Sequence, residues 1–107
     1  MDRRGAYHGS NVVATLGDTT DNDEIYLNNG PGVFVSNNSS LFIASGKTYQ
    51  NKGDGIHLHL NSTAQLEDVS IANNSGYGIA CNDQCVLSKA QSTNIENNTL
   101  GDTADCW

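Results

Sequence analysis

Four asparagines divide most of this chain into equal steps: Asn28, Asn51, Asn74 and Asn97 stand 23 residues apart. Glycine–aliphatic pairs keep the same step at Gly32-Val33, Gly55-Ile56 and Gly78-Ile79, with Gly101-Asp102 as a degraded fourth. A fixed period of this length means that each unit is one coil unable to bury its own apolar face, so the coils must stack. The 107 residues then form a single domain of four to five coils. Residues 1–27 are an irregular N-terminal coil with an acidic loop, 28–96 the regular coils, and 97–107 a partial coil whose end, Gly101 to Trp107, plugs the stack.

Composition decides what kind of coil this is. Only 36% of the residues are hydrophobic, which is thin for a globular core but sufficient for one narrow apolar column. Runs of strong helix formers are missing, which argues against a helical solenoid. Asn and Gly at turns between β-rich segments favour a β-solenoid. Strand alternation is visible in Gly55-Ile-His-Leu-His-Leu60, where Ile56, Leu58 and Leu60 share one face and His57 and His59 the other. Leu41-Phe-Ile43, Ala64-Gln-Leu66 and Leu87 mark a second strand per coil, and Val69, Ile71 and Ile95 a third. In the first coil either Thr48 or Tyr49 takes the Ile71 place, at the cost of a one-residue gap. The repeated asparagines are expected to chain their amides along the axis, and the glycines to supply positive φ at the next bend. Asn-x-Ser/Thr matches at Asn37, Asn38, Asn61, Asn73 and Asn97 read as by-products of Asn- and Ser-rich bends.

Three short strands per turn, with Asn and Gly before the first, resemble the right-handed single-stranded parallel β-helix, an all-β fold. Ile71-Ala-Asn-Asn-Ser-Gly-Tyr-Gly-Ile79 is similar to the repeat of the pectate-lyase-like and NosD-like families, as is Tyr49-Gln-Asn-Lys-Gly-Asp-Gly-Ile56. Right-handedness also follows from the crossover rule for parallel strands. The resemblance implies a fold rather than an activity, since the family holds lyases, hydrolases, epimerases, phage tail proteins and inert surface proteins. It also favours a secreted or cell-surface setting, although the chain contains no signal-peptide h-region. Cys-x-x-x-Cys corners recur in secreted members, which implies a Cys81–Cys85 disulfide. Cys106 projects between the two and competes for either; reduced core thiols and a metal site are the alternatives.

Five Lys and Arg against twelve Asp and Glu give a net charge of −7, which disfavours nucleic acid and anionic membrane surfaces. No apolar run approaches the roughly 18 residues of a membrane span. His57 and His59 project two imidazoles from one strand face, with no carboxylate expected beside them; surface histidines are the plainer reading. Asp18, Asp21 and Asp23, with Glu24, form an acidic loop with calcium-type oxygen ligands but without EF-hand spacing, so no cofactor is expected and calcium is the candidate. No column of the repeat brings acids together: Asp54, for instance, stacks with Pro31 and Tyr77. Catalytic residues of the family therefore map to no position here, and an enzyme is disfavoured. The favoured reading is a non-catalytic module, structural or glycan-binding through Phe34, His57, His59 and Tyr77, with Phe42 as a further exposed aromatic and polysaccharide as partner. The alternative is a small polysaccharide lyase or hydrolase, or a fragment of one. Self-association through an open end or side face is expected, because an uncovered coil offers unpaired strand edges.

Overall fold

The computed structural model describes residues 2–3, 7–10, 13–16, 23–82, 85–89 and 93–104, with side chains from Glu24 onward except at Lys89. Every element among them is a strand. In order these are β1 (Asp2–Arg3), β2 (Tyr7–Ser10), β3 (Val13–Leu16), β4 (Asp23–Tyr26), β5 (Val33–Ser36) and β6 (Ser40–Tyr49). The chain continues through β7 (Ile56–His59), β8 (Thr63–Ala72), β9 (Tyr77–Asn82), β10 (Val86–Lys89), β11 (Asn94–Glu96) and β12 (Gly101–Ala104). Two parallel sheets result. One runs β1-β4-β6-β8-β10, with β3 also on β6 and β11 on β8; the other runs β12-β9-β7-β5-β2. The chain visits the two sheets alternately, so each circuit lays a new rung on the last. This is the parallel β-solenoid read from the period.

Three turns are regular, fewer than the four to five expected, because the spacing changes at both ends. Val33, Ile56 and Ile79 pair in succession at 23 residues, but Tyr7 lies opposite Val33 at 26 and Thr103 opposite Ile79 at 24. The equivalent of Gly78-Ile79 is therefore Asp102-Thr103 rather than Gly101-Asp102. Two strands of each regular coil are continuous in β6 and β8. Each bends where Ser45 (φ 65°) or Asp68 (φ 56°) turns left-handed, and Ser45 Oγ donates to Asp68 Oδ2 at 3.4 Å.

The core is a set of columns: Val33–Ile56–Ile79, Val35–Leu58–Cys81 and Thr48–Ile71–Ile95. Ile56, Leu58, Leu66, Ile71 and Ile79 are fully buried, while Leu87 and Ile95 near the last rung are half-buried. Each fully buried aliphatic contributes about 1.5–3 kcal/mol. Thr48 takes the Ile71 place directly and no gap is needed. Leu60 does not share the inward face: it is 39% exposed and adopts φ 56° where the chain leaves β7.

Asparagine amides tie the rungs together. Asn51 donates from its backbone N–H and Nδ2 to Asn74 Oδ1, at 3.1 and 2.9 Å, and Asn28 treats Asn51 in the same way. The next partner is Asn98, not Asn97: Asn74 donates to Asn98 Oδ1 at 3.0 and 2.9 Å. The reason is an extra residue between β10 and β11, which shifts the register from 23 to 24. Asn97 instead takes the exposed left-handed place shared with Leu27, Gln50 and Asn73. The spare Nδ2 hydrogens reach backbone carbonyls, Asn74 to Thr48 and Asn98 to Ile71, both at 3.2 Å.

That ladder explains the glycines, and not through φ. Gly32, Gly55 and Gly78 do not have positive φ; a Cβ on Gly55 would meet Ile71 Cγ2 at 2.6 Å, Gly78 O at 2.7 Å and Asn74 Nδ2 at 2.9 Å. They are there for close approach between coil, core and ladder. Apart from Gly101 (φ 134°), positive φ among the described residues is carried by non-glycine residues at the corners, where Asn is best tolerated.

A second column governs the cysteines. Ser39 Oγ donates to Ser36 O at 2.6 Å, Ser62 Oγ to His59 O at 2.8 Å, and Cys85 Sγ to Asn82 O at 3.0 Å. Cys85 is thus the third member of a serine column, buried and a free thiol. Cys81 belongs to the aliphatic column and is disulfide-bonded. The expected Cys81–Cys85 bridge is therefore not made: Cys81 is bonded without Cys85, whose thiol stays free and caps the corner. Cys106, like the end of the proposed plug, lies outside the described residues.

Four outcomes check this architecture. Asn98→Ala should cost about 2–4 kcal/mol in urea unfolding, since it strands buried donors worth about 1–3 kcal/mol each. Asn97→Gly should change stability by less than about 1 kcal/mol, and the reverse ranking would restore Asn97 to the ladder. Non-reducing peptide mapping should recover Cys85 as an alkylated thiol and Cys81 in a linkage that excludes Cys85; the sequence offers one further cysteine, Cys106, for it. Cys85→Ser should fold to within about 1 kcal/mol of the parent, its Oγ replacing Sγ in the same bond.

Candidate functional site

The outer face of the β2-β5-β7-β9-β12 sheet collects the polar and aromatic groups singled out by the sequence. Alternation sends Val33, Val35, Ile56, Leu58, Ile79 and Cys81 inward, so Phe34, His57 and Ala80 form one outward column. Ser36, His59 and Asn82 form the next. Phe34 and His57 stack with ring centroids 5.1 Å apart and planes 14° apart. His59 leans toward both, at 6.4 Å from Phe34 and 6.3 Å from His57. Parallel stacking at this distance is what in-register rungs impose on neighbouring rings. The column then drops to the small, buried Ala80, so no third ring continues the stack.

A carboxylate does stand beside these histidines. Asp54, in the turn entering β7, approaches His57 Nδ1 with Oδ2 at 3.0 Å, and the two side chains are 19% and 22% exposed. Its other oxygen accepts the Tyr77 backbone N–H at 2.7 Å, tying the turn to the next coil. Gly76 makes room for this arrangement, since a Cβ there would collide with Asp54 Oδ1. On the far side of the ring, Asn82 Nδ2 lies 3.0 Å from His57 Nε2. A carboxylate only accepts, so Nδ1 carries the proton and Nε2 accepts from Asn82. The imidazole is clamped at both nitrogens and stacked on one face. With both ring nitrogens engaged, the arrangement presents a polar surface of fixed orientation.

Asp54 and Asn82 are the residues that sequence reasoning missed. A column runs only along the axis, whereas Asp54 reaches His57 within its own coil and Asn82 reaches it diagonally. The Asp-x-x-His spacing at a strand entrance was the available signal. Of the expected binding residues, Phe34, His57 and His59 come together. Tyr77 stands half-buried at the entrance to β9, in register with Gly101 and linked to the cluster through Asp54.

Two grooves lie on the other sheet. One of about 370 Å³ is lined by Glu24, Lys47, Tyr49, Ser70, Ala72 and Asn73. There Tyr26 and Tyr49 stack at 5.1 Å, and Tyr49 Oη donates to Glu24 Oε1 at 2.8 Å. The other, about 290 Å³, runs past Phe42, Gln65 and Ser88. Asp18 and Asp21 of the calcium candidate lie outside the described residues, as does the side chain of Asp23. Among the described residues no three His, Cys, Asp or Glu side chains gather as metal ligands.

No curated protein matches the chain, and no solved structure does. The family model described as right-handed beta helix region matches residues 7–106, nearly the whole sequence and every regular coil. With its parallel rungs and period in register with that match, the chain belongs to the right-handed β-helix family.

Proposed function

We propose that this β-helix is a non-catalytic module that binds glycan across the outer face of β5, β7 and β9. The observation that carries the reading is the Phe34–His57 stack, which ends over Ala80 and is flanked by the fixed amide and carboxylate of Asn82 and Asp54. Sugar rings present apolar C–H faces and a rim of hydroxyls, and a flat surface with an aromatic centre and planar polar side chains matches both features. A linear polymer needs an extended platform rather than an enclosed cavity, and stacked rungs provide one. The hydrolase or lyase alternative has less support here, since Asp54 spends both oxygens on protein donors.

Titration against a panel of oligosaccharides tests the reading. Phe34→Ala and His57→Ala should each weaken binding about tenfold or more, equivalent to about 1.4 kcal/mol, with the circular dichroism unchanged. Tyr49→Ala, on the other sheet, should leave affinity alone. Loss with Tyr49→Ala but not with the other two would move the site to the Glu24–Asn73 groove, and bond cleavage in the bound oligosaccharide would replace the module with an enzyme.

A further inference from the structure

Resting on the glycan-binding reading, we infer that this face selects neutral, hydroxyl-rich glycans and rejects their carboxylate-bearing counterparts. The hydrogen-bond polarity of the cluster is set from within. Asp54 only accepts, which places the His57 proton on Nδ1; the Nε2 lone pair then takes an amide hydrogen of Asn82, and this orientation turns Asn82 Oδ1 away from the ring. Asn82 is exposed, so its carbonyl oxygen is presented to solvent beside the Phe34–His57 stack. The face therefore offers acceptors: Asn82 Oδ1 and the remaining lone pairs of Asp54. Acceptors match the hydroxyl hydrogens of a neutral sugar. A ligand carboxylate brings acceptors of its own and meets no Lys or Arg on these strands, only the second amide hydrogen of Asn82 and the His59 ring, with the Asp54 carboxylate beside them.

Charge acts in the same direction. None of the five strands of this sheet contains Lys or Arg, while Asp54 borders the face and Asp102 is exposed in β12. One cation, the exposed Lys52, stands in the turn that supplies Asp54. The whole chain carries −7, so an anionic polymer meets repulsion both at long range and at contact.

The experiment pairs hexasaccharides that differ only at C6: β-1,4-mannohexaose against the β-1,4-mannuronate hexamer, and cellohexaose against the β-1,4-glucuronate hexamer. Calorimetric titration is run at low and moderate salt on the intact chain, Phe34→Ala, Asp54→Asn and Lys52→Gln. The neutral member of a pair should bind at least about tenfold tighter at low salt, the gap should narrow as salt rises, and Asp54→Asn should narrow it further. Phe34→Ala should weaken the binding about tenfold or more and remove the neutral preference, and Lys52→Gln should leave the ranking unchanged. Equal or tighter binding of the uronates overturns the inference while leaving the glycan reading in place, most directly if Lys52→Gln then removes it. Neutral preference that survives Phe34→Ala assigns the selectivity to another surface and also overturns it. Binding of no member of either pair, nor of any glycan in the wider panel, overturns the glycan reading itself, and the inference falls with it.

Discussion

The structure depends on one constraint: every coil must present its polar backbone and its corner amides to the coil above in register. Parallel pairing satisfies the strands, but the corners between strands have no ladder of their own, and a buried unpaired amide costs about 1–3 kcal/mol. Asn28, Asn51, Asn74 and Asn98 solve this at one corner: the last three each accept from the rung before, and all four donate onward or to a carbonyl. Ser39, Ser62 and Cys85 solve it at another by capping the carbonyl three residues back. The glycines beside the asparagine ladder follow from it, since the amides and core methyl groups occupy the space a Cβ would need.

The same register organises the surface. Rings one rung apart are forced into parallel stacking, as Phe34 with His57 and Tyr26 with Tyr49 show on different faces. A small residue in the next rung, Ala80 or Ala72, ends each stack. Turn residues then add chemistry the strands lack: Asp54 enters from the turn, fastens the next coil through Tyr77 N–H and orients His57 with its second oxygen. One carboxylate thus fastens the next coil and orients His57, and this is how a repetitive scaffold acquires a non-repetitive patch.

Much of the architecture is legible in the residues because stacking is a one-dimensional rule. A 23-residue period and the alternation in Ile56-His-Leu-His59 suffice to place the core columns and the outward histidines. Departures occur where local insertions change the register. The extra residue before β11 moves the ladder to Asn98, and the long first turn separates Tyr7 from Val33 by 26 residues. Leu60 breaks the alternation because a corner demands φ 56° there. The candidate site was half legible for a different reason: Phe34, His57 and His59 follow from alternation, whereas Asp54 and Asn82 join them by contacts within a turn and across a diagonal, which a column-by-column projection does not test.

Side-chain hydrogen exchange measures the ladder directly. Assigned Nδ2 resonances of Asn51 and Asn74, both 1% exposed, should exchange only with global unfolding, as slowly as the amides of β7. The Nδ2 groups of the exposed Asn61 and Asn97 should exchange at solvent-limited rates in the same sample. Exchange of Asn51 and Asn74 at the rate of Asn61, in a protein whose β7 amides remain protected, would contradict an account in which the asparagine column holds the coils in register.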